Sequence, residues 1–162
     1  MKSLHLLLQR LADAGFEFVV VGGYASVLHG SSYVTDDLDI CAVLTPQNVE
    51  ILRTALADLK PWHRMTHQKL SFLDHPPVDQ SVNNLYLETE GGILDVISNV
   101  LGVGDYQRLR QSAVEVPLFG RKCLVISLED LIAAKEAMGR EKDLLTAKEL
   151  RAIAAKRGKP AT

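Results

Sequence analysis

The sequence predicts a single α/β domain, a mixed β-sheet flanked by helices with a helical C-terminal end. Its 162 residues are 47% hydrophobic and 23% charged, the size and balance of one compact unit. Short β-branched apolar runs alternate with segments of helical periodicity, as strands and helices sharing a core require. Two turns, Glu90-Gly91-Gly92 and Phe119-Gly120-Arg121, each divide a pair of apolar runs, so hairpins belong in the sheet. No internal repeat or low-complexity segment divides the chain. The domain is expected to span residues 1–157, with 158–162 a disordered tail.

Each element follows from local pattern. Leu4, Leu7, Leu8 and Leu11 recur at helical spacing and Gly15 follows as a stop signal. Phe16 to Val21 is too short and too β-branched for a helix and reads as a buried strand ended by Gly22-Gly23. Tyr24 to His29 reads as a short helix, closed by Gly30 and the polar loop Ser31 to Asp36. A second strand is expected over Asp37 to Leu44. Thr45-Pro46 starts a helix as N-cap and first-turn proline, with Val49, Leu52, Leu56 and Leu59 facing inward before Pro61. Trp62 to Gln80 is polar, contains Pro76-Pro77, and is expected to be irregular. Leu85 to Leu87 and Ile93 to Ile97 make the first hairpin, Asp105 to Ser112 a helix, and Val114 to Leu118 with Lys122 to Ile126 the second hairpin. Ser127 and Asp130 form a start resembling a capping box, and Leu128, Leu131 and Ile132 open the buried face of the next helix. Gly139 interrupts it, and Asp143 to Lys156 continues as another.

The formal net charge of −2 makes no overall case for nucleic acid or an anionic membrane as partner. Lys135, Arg140, Lys142, Lys148, Arg151, Lys156, Arg157 and Lys159 nevertheless crowd the C-terminal end, either to hold an anionic substrate or as a solvated helix face. Cys41 and Cys123 sit in separate apolar runs and read as small buried hydrophobes of a reducing compartment. Gln9, Arg10 and Asp13 break any signal-peptide core, and no apolar stretch approaches the ~20 residues that span a bilayer. A soluble, cytoplasmic protein is expected.

Three features carry chemistry. Val20-Val21-Gly22-Gly23 runs a strand into two glycines and a helix start, where backbone N–H groups can approach an anion; taken alone, paired glycines after a strand are more commonly just a tight turn. Asp37 and Asp39 are two apart on one strand, so both carboxylates project from one face while Leu38 points into the core. Such a pair repels itself unless a cation lies between, and Mg²⁺ favours one or two carboxylates with phosphate oxygens and water; an acidic turn is the plainer alternative. Asp95 lies inside the apolar run Gly92 to Ile97, where a carboxylate has to be ion-paired or metal-bound. Beside the Asp37 strand it would complete a set of three.

Gly22-Gly23, then Asp37-Leu38-Asp39 and a later strand aspartate, resembles the signature of the DNA polymerase β-type nucleotidyltransferase superfamily. Val19 to Ser32, with Thr35 to Ile40, resembles its minimal bacterial members, including the toxin-like AbiEii-type branch associated with abortive infection. Ser127 to Ile132, Lys135 and Arg140-Glu141-Lys142-Asp143 extend the likeness over nearly the whole chain. Tyr33 departs from it, standing where a basic residue is expected, which bears on the phosphate grip and the substrate.

The resemblance implies an enzyme that moves a nucleoside monophosphate from a nucleoside triphosphate to a hydroxyl of a protein, an RNA or a small molecule. Asp37, Asp39 and Asp95 would hold Mg²⁺ (two ions), with Asp95 also the base for the attacking hydroxyl. Gly22 and Gly23, with Ser31 or Ser32, would cradle the triphosphate, and Lys135, Arg140 and Lys142 would neutralise its charge. A toxin–antitoxin role with a partner protein encoded nearby is a further implication. The alternative is a nucleotide-binding or regulatory module that keeps the fold without transfer. His63 and His67 are four apart but lack a third zinc ligand, His29 reads as structural, and Gly102-Val103-Gly104 is a loop rather than a dinucleotide fingerprint.

Overall fold

A computed structural model describes residues 3–158. Residues 159–162 of the expected tail, like Met1 and Lys2, lie outside the described residues, while Gly158 caps the last helix.

The chain folds as α1 (Leu4–Asp13), β1 (Val19–Val21), α2 (Gly22–Leu28), β2 (Asp37–Cys41) and α3 (Pro46–Leu56), which runs into a 3₁₀ turn at Ala57–Leu59. Four strands follow: β3 (Trp62–His63), β4 (Leu70–Ser71), β5 (Asn84–Thr89) and β6 (Gly92–Ile97). Next come a two-residue ribbon, β7 (Asn99–Val100) with β8 (Gly104–Asp105), and α4 (Tyr106–Ser112). The hairpin β9 (Val114–Leu118) and β10 (Arg121–Val125) leads into α5 (Leu128–Met138) and α6 (Glu141–Arg157).

Eight strands form one mixed sheet in the order β4-β3-β5-β6-β2-β1-β10-β9. The β2–β6 and β1–β10 pairs are parallel and the others antiparallel. α1 packs on α3 and against β2, β6 and β10, while α2 covers β1 and β2 and meets α5, which packs on α6. Leu7, Leu11, Leu38, Ile40, Leu52 and Leu94 are fully excluded from solvent at the centre of this arrangement. Their burial is the main stabilising term, roughly 1.5–3 kcal/mol per side chain before entropy is counted.

The caps act as the sequence suggests. Thr45 accepts a hydrogen bond from the Asn48 amide at 3.2 Å and Ser127 one from the Asp130 amide at 3.1 Å. The Asp130 carboxylate, however, does not return to its own helix start; it takes a two-pronged bond from Arg108 of α4.

Several boundaries differ from expectation. The first strand is only Val19–Val21; Phe16 instead donates its amide back to the Leu11 carbonyl at the end of α1, 3.1 Å away, and its ring lies 6.4 Å from that of Phe18. β2 stops at Cys41, α2 starts at Gly22 itself, and α6 starts at Glu141. The segment from Trp62 to Gln80 is not wholly irregular: Trp62 pairs with Glu88 and Ser71, and His63 with Leu87 and Leu70, extending the sheet beyond β5. Arg53, only 7% exposed, holds this excursion by hydrogen bonds to the carbonyls of Phe72 and Pro76. Cys41 and Cys123 are free and buried. Among the described residues no helix is long and apolar enough to cross a membrane.

Candidate active site

The site begins with strand register. Asp39 and Asp95 are Cα partners across the parallel β2–β6 pair, with Asp37 opposite Ile93. Laterally paired residues share a face, and residues two apart on one strand share it too, so all three carboxylates emerge on one side. Val21 of β1 and Tyr86 of β5 are the next partners outward, opposite Asp39 and Asp95 respectively. Between these polar positions Leu38, Leu94 and Val96 turn into the core.

The electrostatics follow from crowding. Burial pushes Asp39 up to about 6, assisted by the neighbouring charges of Asp95 and Asp37 and opposed by Lys135 and Arg64. Burial also raises Asp95, against the pull of Arg64. Lys135 is lowered by burial, against Asp143 and Asp39. The sheet face thus carries more negative charge than its own cations balance, and burial of that charge has a cost.

Both glycines are required, chiefly by contacts within the chain. Gly22 has φ +68°, and a Cβ there would lie 2.3 Å from Asp39 Oδ2. A Cβ on Gly23 would meet the Tyr33 ring at 2.8 Å and Thr35 Cβ at 3.3 Å. Tyr33 therefore occupies the face of Gly23, a consequence of the departure noted in the sequence.

Two adjoining cavities open on the carboxylates. One, of about 240 Å³, is polar and is bounded by Gly23, Tyr33, Thr35, Asp37, Lys142 and Thr146. The other, of about 230 Å³, is apolar and lies between the sheet and α5. Asp39, Asp95, Lys135 and Arg140 line both and form the boundary. Ser31 and Ser32 line neither: Ser31 Oγ accepts from the Tyr33 amide, and the Ser32 amide and hydroxyl donate to Glu149 at 2.7 and 2.8 Å.

Two residues emerge to which the sequence reading gives no role of their own. Arg64 continues β3, its amide donating to the Tyr86 carbonyl and its guanidinium lying 5.7 Å from the Tyr86 ring centre. It forms an ion pair with Asp95 through Nη2 and Oδ2, leaving Arg64 Nε and Asp95 Oδ1 buried without a hydrogen-bond partner. Asp143, 2% exposed, accepts from Arg140 Nε at 2.5 Å and lies 3.8 Å from Lys135 Nζ. It fixes both cations at the boundary between the cavities.

Among the described residues no three histidine, cysteine or acidic side chains form a ready metal cage. The carboxylates fit a hard cation nonetheless, since Mg²⁺ completes its shell with phosphate oxygens and water. Asp95 Oδ1, buried and unpaired, is an oxygen that a cation would satisfy. His63 Nε2 donates to the His75 carbonyl, 2.7 Å away, and among the described residues forms no such centre with His67. His29 is buried, with Nε2 2.7 Å from the Ile126 carbonyl and Nδ1 3.2 Å from Arg157, a structural tie as expected.

Residues 1–159 match the family described as "Nucleotidyl transferase of unknown function (DUF2204)". No curated protein sequence matches the chain. Among solved structures, the lincomycin-bound lincosamide antibiotic adenylyltransferase LnuA is similar with TM-score 0.61 and 20% identity, over 93% of this chain and 95% of that one. An antigenic nucleotidyltransferase-like protein from Paracoccidioides brasiliensis gives 0.57 and 16%, over 94% and 73%. ANT(2'')-Ia in complex with adenylyl-2''-tobramycin gives 0.50 and 15%, over 92% and 95%. At these identities the likeness is one of fold.

Proposed function

This chain belongs to the DUF2204 nucleotidyl transferase family, and on that premise we propose that it moves a nucleoside monophosphate from a Mg²⁺-bound triphosphate to a hydroxyl acceptor. The observation that carries this reading is the lateral pairing of Asp39 with Asp95, between a polar cavity rich in cations and a buried carboxylate oxygen with no partner. Asp37, Asp39 and Asp95 would hold the metal, which supplies positive charge to the transferring phosphoryl group.

The chain's own groups account for the rest. Lys135, Arg140 and Lys142 line the polar cavity and would neutralise the β- and γ-phosphates. In transfer, the acceptor oxygen forms a bond to the α-phosphorus, the bond to the bridging oxygen breaks, and diphosphate leaves with the electron pair. The acceptor proton passes to Asp95, whose Oδ1 is unpaired while Arg64 holds Oδ2. LnuA and ANT(2'')-Ia, whose descriptions name lincomycin and adenylyl-tobramycin, make small hydroxylated compounds the first acceptors to try.

Thermal stability with ATP, GTP, CTP and UTP, each with and without Mg²⁺, tests the site in wild type and Asp37→Asn. A ligand at a hundred times its dissociation constant adds roughly 2.7 kcal/mol. A Mg²⁺-dependent shift lost in the variant is the expected outcome; no shift with any triphosphate refutes nucleotide binding, and binding without labelled product on any acceptor favours the regulatory-module alternative. The toxin-like role rests on the sequence resemblance. It predicts growth arrest on overexpression, relieved by Asp39→Asn, and a harmless wild type removes it.

A further inference from the structure

The apolar cavity adjoins the three carboxylates, and transfer chemistry itself leaves it unused. Beyond the four charged residues at its boundary, its lining side chains are Val21, Tyr86, Ile97, Val100 and Leu101 from the sheet side and Ile126, Leu131, Ala134 and Met138 from the α5 side, with Gly22 at the edge. Its outer wall is built deliberately. The turn after β7 lies so close to α5 that a Cβ on Gly102 would sit 2.6 Å from Ala137 Cβ and 3.2 Å from the Ala133 carbonyl. Gly102 also has φ +83°, so glycine alone lets this turn close down and set Leu101 beside Met138. The Gly102-Val103-Gly104 segment is thus a wall-building device.

We propose that this cavity seats the nucleoside of the triphosphate and reads its base by shape, so that ATP and GTP are taken alike. The inference rests on the transferase reading above. Connectivity is the first reason. With the phosphates among Lys135, Arg140 and Lys142, the α-phosphate falls at the boundary residues Asp39 and Asp95, and the nucleoside must leave from there; the apolar cavity begins at those same residues.

Competition for the cavity is the second. The acceptor needs an oxygen beside Asp95, and the Arg64 guanidinium, ion-paired to Asp95, is the donor it would meet there. Arg64 follows β3, across Tyr86, and is not part of the apolar lining. Acceptor and nucleoside are thereby assigned to different sides of Asp95. Size agrees: about 230 Å³ is below the roughly 300 Å³ at which sites for whole drug-sized molecules begin, and suits one ring system of a larger ligand.

Base tolerance follows from the lining. Adenine and guanine differ in the hydrogen-bonding groups on their edges, and telling them apart strongly needs side chains that pair with those groups. Aliphatic walls have none, and the Tyr86 hydroxyl both donates and accepts, so it suits either purine. Burial scales with apolar area, so the larger purines bind ahead of pyrimidines.

Calorimetric titration of ATP, GTP, CTP, UTP and inorganic tripolyphosphate, all with Mg²⁺, tests this on wild type, Ala134→Phe and the double variant Leu101→Ala with Met138→Ala. In wild type, ATP and GTP bind within about threefold of each other and about tenfold or more tighter than tripolyphosphate. Ala134→Phe, which fills the cavity, brings ATP to the tripolyphosphate level and leaves tripolyphosphate itself unchanged. The double variant trims two residues that are 57% and 46% exposed, so its fold is safe; it weakens ATP several-fold and spares tripolyphosphate. Equal binding of ATP and tripolyphosphate overturns the proposal. So does ATP binding untouched in both variants, which would hand the cavity to the acceptor, and so does discrimination between ATP and GTP beyond about tenfold. Failure of every probe, tripolyphosphate included, is a different result: it removes the transferase reading beneath.

Discussion

Asp39 and Asp95 stand side by side on parallel strands, two acids pressed onto one face by register with no cation of equal charge between them. Metal-free protein should carry this as a pH-dependent instability. The folded value of Asp39, about 6, exceeds its unfolded value near 4, so the folded form binds the extra proton between them. Stability is therefore greatest below that window and falls as pH rises through 6. Asp39→Asn should be more stable than wild type at pH 8 in chelator, by up to about 3 kcal/mol, with the gain vanishing near pH 4. Urea unfolding at both pH values measures it, and a variant weaker than wild type at pH 8 contradicts the account.

Gly22 tolerates no side chain. Alanine there meets a left-handed backbone worth about 1–2 kcal/mol of strain and a contact with Asp39 Oδ2 that cannot persist. Gly22→Ala is expected to lose about 3 kcal/mol or more in denaturant midpoint and to abolish the Mg²⁺-dependent shift with ATP. Gly15→Ala, equally left-handed but with nothing within 4 Å, should lose only the strain and keep the shift.

Asp143 is the acid that the cations depend on. Burial raises its carboxyl, yet bonding to Arg140 and the charges of Arg140, Lys135 and Lys142 outweigh this and hold it below the ordinary range. Its contribution is then present above the unfolded value and lost as pH falls through the folded one. Asp143→Ala should cost about 1–3 kcal/mol at pH 7, because the half-buried Lys135 loses an acidic partner while the more exposed Arg140 is solvated instead. Circular dichroism with urea reads the loss, and a cost below 1 kcal/mol would refute the role.

On the proposed function, Arg64 and a metal ion would compete for one carboxylate. Removing the guanidinium in Arg64→Gln takes a positive charge from beside Asp95 and should tighten Mg²⁺ binding several-fold in the absence of nucleotide. Transfer should nevertheless fall, since the acceptor loses its donor. Unchanged Mg²⁺ affinity, read by calorimetry, would show that the ion pair does not guard the site.

Much of this was legible from residue order because it rests on short-range periodicity. Asp37 and Asp39 share a face through a spacing of two, and Asp95 betrays itself as a charge within an apolar run. Thr45, Ser127 and the inward leucines of α3 are equally local. What escaped depends on distant partners. Arg64 follows a two-residue strand too short to show alternation, and only the pairing of β3 with β5 brings it to Asp95. The hold of Glu149 on Ser32 spans 117 positions and turns a candidate phosphate donor into a structural tie. The Gly22-Gly23 pair was visible, but its tightest constraints, Asp39 and Tyr33, could be found only once side chains were placed in space.

The strand order also sets when this site can exist. β2 takes its lateral partner from a strand about 55 positions later, β1 takes one from over 100 positions later, and Lys135 arrives later still on α5. Loop closure over such separations is slow compared with local helix formation. As the chain leaves the ribosome, α1 and α3 can form while the three acids are still apart; Asp95 joins Asp37 and Asp39 only once β6 has emerged, and Lys135 follows on α5. A chain that stops before β6 therefore lacks the paired acids, a built-in delay between making the first strands and assembling the acidic face.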